Sequence, residues 1–346
     1  LIDAGTVLGL AELESARETN DYREGGDFQP DLLASIAINP DSELIPVTRA
    51  NGVTTVVTRP SGSVVAGQSV LLNLAGWTPR DMTVIDGLAL HVEFPTTAAL
   101  GFGGGDPTLA AMFGGRGLQK KQRDEKVRRL RELFAQAIAY DEGRKLSPDA
   151  PANPRLESLV PYARGQKPVV IQASRKADIL EAIKLADELK LKLVLSGAAA
   201  ACRDADELKK RDIPVIVGPI MAMPQDRDEA YATPFTTPAR LAAAGVRFCI
   251  RTGTNSGSNS GSSNTRNLPY EAAFAVSYGL PEEEGLKAIT LYPAQILGAD
   301  AELGSIDVGK RANLVLTTGN PLQVSSQVQA VFIDGKPLEP TSKQTR

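Results

Sequence analysis

Four short apolar runs (168–172, 191–195, 213–217 and 246–250) alternate with helical patterns, and this alternation constrains the fold more than any other feature. The first helix, 176–190, carries Ile179, Ile183, Ala186 and Leu189 on one stripe, the 3.6-residue period of a helix with one buried face. Helices are expected again over 198–210 and 237–244. Strands separated by helices of this length pair in parallel through right-handed crossovers.

Upstream, 42–50 reads as a helix and 52–58 as a β-branched strand, and 83–94 supplies further strand material. Residues 122–142 form an amphipathic helix, with Val127, Leu130, Phe134, Ala137 and Ile138 on one face and Arg128, Arg131 and Glu132 on the other. The proline-rich stretch 143–165 reads as an irregular connection. Counting to Ile250 gives about eight strands, which suits a (β/α)8 TIM-like barrel. After it come helices over 269–278, 281–291 and from 293. Strands follow over 304–306, 312–317 and 328–333, with a hairpin turn at Asp334-Gly335. The expected division is a barrel over 1–300, the strands of a partial C-terminal β-sandwich over 301–338, and a tail over 339–346.

Composition narrows the function classes. With 38 Lys+Arg against 41 Asp+Glu, the 346-residue chain has no basic excess to recruit nucleic acid. No apolar run is long enough for a membrane-spanning helix. Cys202 and Cys249 are too few for a disulfide framework or a four-thiolate zinc site, and both sit in core patterns. His91 is the only histidine, so mechanisms that need several imidazoles are excluded. Strand alternation places His91 and Glu93 on one face, opposite Leu90 and Val92, as a candidate acid/base or metal-binding pair; the alternative is a hydrogen-bonded interior histidine. The glycine-rich segments 101–106 and 253–261 match neither a dinucleotide fingerprint nor a phosphate loop, although the second follows the last barrel strand and so falls at a barrel mouth. The start, Leu1 to Ala4, reads as a buried strand with no basic leader pattern, so an upstream segment is expected to have been removed or left out.

The C-terminal motifs carry a resemblance. Leu-Gly-Ser-Ile-Asp-Val-Gly-Lys-Arg-Ala-Asn-Leu-Val at 303–315, Gly-Asn-Pro-Leu at 319–322 and Val-Phe-Ile-Asp-Gly-Lys at 331–336 resemble the ending of metal-dependent amidohydrolases, nearest the imidazolonepropionase-like branch. Pro-Ala-Gln-Ile-Leu-Gly at 293–298 is similar to the helix that precedes it, and Leu-Ile-Asp-Ala-Gly-Thr-Val at 1–7 to the first barrel strand. The resemblance implies a barrel holding one or two divalent metals, zinc or another, at the C-terminal ends of its strands, with a small β-sandwich built partly from residues before the barrel. Members similar over 51–95 are often exported, which implies an extracytoplasmic location.

At the positions where the family carries metal ligands, this sequence departs. The first-strand His-x-His falls on Gly5 and Val7, the fifth-strand histidine on Gln172, the sixth-strand histidine on about Ser196, and the aspartate after the eighth strand on Asn255. Glycine and valine donate nothing to zinc, and an amide is no general base. The expectation is therefore a chain without a resident metal or other cofactor, acting as a binding, structural or assembly component. The alternative is a divergent hydrolase of amide or other C–N bonds, with His91, Glu93, Gln172, Arg251 and Asn255 at a rebuilt mouth and Thr6 supplying a hydroxyl. Apolar residues of 304–333, among them Ile306, Leu314, Leu316, Val331 and Ile333, are expected to be covered by an upstream segment, another chain or a second copy in a homo-oligomer.

Overall fold

The computed structural model describes residues 1–13, 16–96, 115–149, 151–224, 229–253 and 261–343. The first part of the chain runs β1 (Ile2–Thr6), α1 (Leu44–Ala50), β2 (Thr55–Thr58), β3 (Val65–Gln68), β4 (Val70–Asn73), α2 (Pro79–Met82), β5 (Thr83–Ile85) and β6 (Leu90–Glu93). There follow α3 (Gly115–Leu146), α4 (Pro154–Ala163), β7 (Pro168–Gln172), α5 (Lys176–Leu189), β8 (Lys192–Ser196), α6 (Ala205–Lys210), β9 (Val215–Val217), α7 (Thr233–Ala243) and β10 (Phe248–Ile250). The last part holds α8 (Leu268–Ser277), α9 (Glu282–Lys287), α10 (Leu291–Leu297), β11 (Leu314–Thr317), β12 (Val328–Ile333) and β13 (Lys336–Leu338). Among the described residues, no helix is long and apolar enough to cross a membrane.

The fold is mixed α/β, and its largest sheet has the order β10-β9-β8-β7-β6-β3. From β6 to β10 every neighbouring pair is parallel, as the strand–helix alternation requires. A second sheet, β1-β2-β4-β5, begins with the parallel pair β1 and β2. Its β4 is antiparallel to β2, and β3 is antiparallel to β6. The run 65–73, unassigned from sequence, thus passes from one sheet to the other around Ser69. Ser69 N donates to Ala89 O at 2.9 Å, and Leu88 N donates to Ser69 O at 2.8 Å. At the opposite edges, Gly253 N donates to Gly5 O at 3.0 Å, which brings the segment after β10 onto β1. The eight strands expected up to Ile250 become ten named ones, and the uniformly parallel series is interrupted by this antiparallel run.

Period-two alternation divides two cores. Val56, Leu72, Ile171, Leu195, Val217 and Ile250 face one cluster with the helices. Their chain neighbours Val57, Leu71, Val170, Val194, Ile216 and Cys249 face a second, which α10 seals with Ala294, Ile296 and Leu297. Cys202 and Cys249 are both buried, in agreement with their reading as core residues.

Two further expectations need correction. The stretch 143–165 is not irregular throughout, because it contains α4. Asn153 Oδ1 caps this helix by accepting from Leu156 N at 3.2 Å, and Pro154 occupies the first turn, where its missing N–H costs nothing. Residues 304–306 form no strand, and the three-stranded sheet begins at β11. In that sheet Val331 and Ile333 are buried, whereas Leu314 and Leu316 are exposed, as is Ile306 before it. A cavity of about 960 Å³ separates its outer residues from the start of the chain, with Leu1, Gly52, Leu314, Leu316 and Val328 among its walls. The turn between β12 and β13 is the expected Asp334-Gly335 pair, both at positive φ (50° and 76°) as a tight hairpin needs.

Tyr162 ties the helical layer to the strands. Its fully buried hydroxyl lies 2.9 Å from both Gln68 Oε1 and Gly87 O. Tyr162→Phe keeps the ring and takes the donor from Gln68 Oε1, while Gly87 O still accepts from Lys167 Nζ at 2.7 Å, so a loss of about 1–2 kcal/mol is expected, read as a lower urea midpoint at unchanged slope.

Candidate functional site

Four buried titratable side chains gather in and just beyond the parallel strands. Asp3 in β1, Arg59 just after β2, His91 in β6 and Arg251 just after β10 are 0%, 5%, 4% and 1% exposed. Groups this polar stay inside a fold only when they are paired or hydrogen-bonded.

Asp3 is held by its neighbours. Its Oδ1 accepts from Gly5 N at 2.9 Å, and its Oδ2 accepts from Thr252 N at 3.2 Å and from the Thr252 hydroxyl. Burial pushes its carboxyl above the ordinary range. The Thr252 and Gly5 bonds and the Arg251 charge act in the other direction.

The two guanidinium groups converge on Gly5. A Cβ built on Gly5 would lie 3.1 Å from Arg251 Cδ, 3.7 Å from Arg251 Nη1 and 3.7 Å from Arg59 Nε. Glycine at this position thus admits both arginine side chains into the space that a larger residue would occupy. Burial acts against the charge of each arginine, and Arg59 adds repulsion on Arg251, while Asp3 and Glu93 favour both charges. A guanidinium keeps its proton through such a balance, so the pair is a fixed centre of positive potential.

His91 registers that potential. Burial first, then Arg59 and Arg251, hold its pKa well below 6.5, so the imidazole is neutral at neutral pH. Among the described residues its buried Nε2 has no hydrogen-bond partner. The predicted alternation holds, since Leu90 and Val92 both lie in the helix-facing core. Glu93 is half-buried, its Oε1 accepting from Gly62 N at 2.7 Å. Glu93 is in register with Gln172, and Gln172 with Ser196, so these three candidates sit side by side at the ends of β6, β7 and β8.

Other candidates are placed differently. Thr6 is buried with its hydroxyl engaged: it lies 2.8 Å from Thr265 Oγ1 and accepts from Leu8 N at 3.2 Å. Thr265 itself donates to Ser262 O at 2.8 Å, so Thr6 serves as a structural tie and supplies no free hydroxyl. Val7 is a buried apolar residue at the end of β1. Asn255 and the glycine-rich segment 101–106 lie outside the described residues, as does most of 253–261. Asp3 and Arg59 were not candidates from sequence; the signal for Arg59 was its place directly after a β-branched strand, at the end where such folds carry function. Among the described residues, no group of three or more His, Cys, Asp or Glu side chains is placed to hold a metal ion.

Glu271 of α8 lies at the edge of this region. It is buried, and its Oε2 accepts from Met221 N at 2.9 Å and from Ile220 N, fixing the loop after β9. Burial pushes its pKa from 4.5 up to about 7, against those two bonds and with a small contribution from Asp3. The native state therefore holds a proton that the unfolded chain releases at lower pH. The resulting stability is full below pH 4.5, is lost as pH rises to about 7, and is constant above that. Glu271→Gln retains an acceptor and removes the titration, so it should flatten this slope and gain up to about 3 kcal/mol at pH 8. His91, buried neutral, contributes an opposite slope below pH 6.5 in both proteins. The difference between their urea-unfolding curves across pH isolates Glu271.

Comparison with known proteins agrees with this architecture. The amidohydrolase family profile matches residues 166–338, half of the 346. The crystal structure of an amidohydrolase from Thermotoga maritima MSB8 superposes with a TM-score of 0.81 at 27% identity, covering 97% of this chain and 85% of that one. A curated protein, amidohydrolase tasK of Hapsidospora irregularis, is 38% identical over 72 residues, which are 21% of this chain and 7% of that protein. The chain thus spans only a small part of its curated relative. With a TIM-barrel-like α/β architecture and a family match across half its length, the chain belongs to the amidohydrolase family.

Proposed function

We propose that this chain is an amidohydrolase-family protein whose strand-end site works without a divalent metal, and that it acts as a binding or assembly component. The observation that carries this reading is the pair of arginines converging on Gly5. A divalent cation does not fit such a donor set: glycine and valine stand at the first two ligand positions implied by the family resemblance, and two guanidinium groups repel a third cation. The same reading takes the edge bonds at Ser69 and Gly253 as the seams of a closed barrel, with 65–73 as its antiparallel member. Metal analysis of the purified full chain tests it. Negligible zinc, manganese and iron are expected; one tightly held ion per chain, lost together with a hydrolytic activity, would overturn the reading.

A second reading, a hydrolase of C–N bonds, is favoured by one observation: a neutral imidazole shares a strand face with Glu93. A panel of amides, cyclic ureas and dipeptides separates the two. Turnover abolished by His91→Ala supports the hydrolase, and turnover indifferent to both His91→Ala and Glu93→Ala defeats this version of it.

We further propose that the cavity beside β11 is covered in the working protein by another polypeptide segment or a second copy. Leu314 and Leu316 are exposed there on a strand paired on one side only. Analytical ultracentrifugation of a monomer that remains monodisperse and binds no hydrophobic dye at high concentration would count against it.

A further inference from the structure

We propose that the C-terminal end of the parallel strands is an oxyanion site, in which Arg59, Arg251 and the Nε2 of His91 take a ligand of the carboxylate or phosphate class. This rests on the metal-free reading above. Three observations carry it.

The first is convergence. Arg59 and Arg251 leave from the ends of different strands and meet over the same glycine, with Arg251 Nη1 and Arg59 Nε each 3.7 Å from where a Cβ on Gly5 would lie. A planar fork of N–H donors is suited to carboxylate and phosphate oxygens, and two such forks converging define a place for an anion. The second is the occupation of the local carboxylates by neutral donors. Asp3 accepts from Gly5 N and from both the N–H and hydroxyl of Thr252, and Glu93 Oε1 accepts from Gly62 N. Those acids favour both arginine charges, while the two oxygens of Asp3 and the Oε1 of Glu93 accept from backbone and hydroxyl groups. The third is His91, 4% exposed and under the influence of both guanidinium groups, whose Nε2 lacks a partner among the described residues. A neutral imidazole protonated at Nε2 donates one hydrogen bond and suits an anion; a cation in the same place would be repelled by both guanidinium groups.

Because His91 is the only histidine, 15N-histidine labelling gives a single imidazole to observe. The full chain is titrated at constant ionic strength with sodium phosphate in one arm and sodium acetate in another, with sodium chloride as the reference. A saturable shift of the Nε2 resonance is expected in at least one arm, and the tighter arm identifies the source of the oxyanion. Arg59→Met is expected to weaken that binding by at least about tenfold, while Arg59→Lys, which keeps charge without the fork, falls between. Should Arg59→Met fail to fold, Arg59→Lys alone decides by a measurable weakening. No shift in either arm, or a shift unchanged in the Arg59 variants, overturns the proposal. The ligand-free spectrum tests the underlying reading separately. An imidazole that titrates near pH 6.5, or that responds stoichiometrically to added zinc, refutes the arginine-centred site itself. A neutral, zinc-insensitive ring that ignores both anions refutes only the oxyanion.

Discussion

Arg251→Met is expected to destabilise the protein by about 3–5 kcal/mol, the cost of leaving a buried charge without its counter-ion. Arg251 is 1% exposed and its charge favours the ionised form of Asp3, which is itself fully buried. Methionine approximates the length of the stem, so little of the loss should come from packing. Asp3 cannot turn to water, because Gly5 and Thr252 hold its oxygens in place. The first check is chemical denaturation at pH 7, where the midpoint should fall sharply while the slope stays constant. The second is the double variant Asp3→Asn with Arg251→Met, which removes both charges and should recover part of the loss. A positive coupling of more than about 1 kcal/mol in that cycle assigns the effect to the pair. A single variant as stable as the parent would show that Arg251 contributes no net electrostatic stability. The change also removes repulsion from Arg59 and should raise the His91 pKa, since both guanidinium groups now lower it.

The parallel half of the fold was legible because its strands are buried on both faces and read as continuous apolar runs. Pro168–Gln172 matches the expected run to the residue on that signal. The run 65–73 escaped because Gly67, Gln68 and Ser69 break its apolar pattern at the point where it changes sheets. Helix α4 escaped for a different reason. Its prolines read as breaks, yet Pro154 sits where a helix tolerates proline best, and Pro161 lies in the last turn, near the helix end. At the site, His91 and Glu93 followed from two-residue alternation alone. Asp3 and Arg59 did not, because a charged residue at a strand end looks the same in sequence whether it faces solvent or a closed interior. Only the approach of residues 3, 59 and 251 across the sheets distinguishes the two. The departure of Gly5 from the family pattern was visible beforehand; that two arginines fill the space it leaves was not.

Gly253→Ala should be strongly disruptive for a change of a single methyl group. An added Cβ would lie 2.3 Å from Gly5 O, 3.2 Å from Gly5 C and 3.4 Å from Thr6 Cα, all backbone atoms. A side chain can rotate away from such a clash, but here one of the two chain segments must move. Moving either breaks the 3.0 Å bond from Gly253 N to Gly5 O, and with it the approach of Thr252 to Asp3. The expected loss exceeds about 4 kcal/mol, enough to consume much of the stability of an ordinary domain and to leave the variant largely insoluble. Gly143→Ala is the control. Gly143 lies exposed in α3 with nothing within 4 Å of its Cβ position, so alanine should stabilise there by about 0.5–1 kcal/mol. Opposite signs for the same chemical change would locate the effect in the contact between Gly253 and Gly5. Equal unfolding midpoints for Gly253→Ala and the parent would mean that the segment after β10 does not rest on β1 in solution, and the proposed closure of the barrel would fail with it.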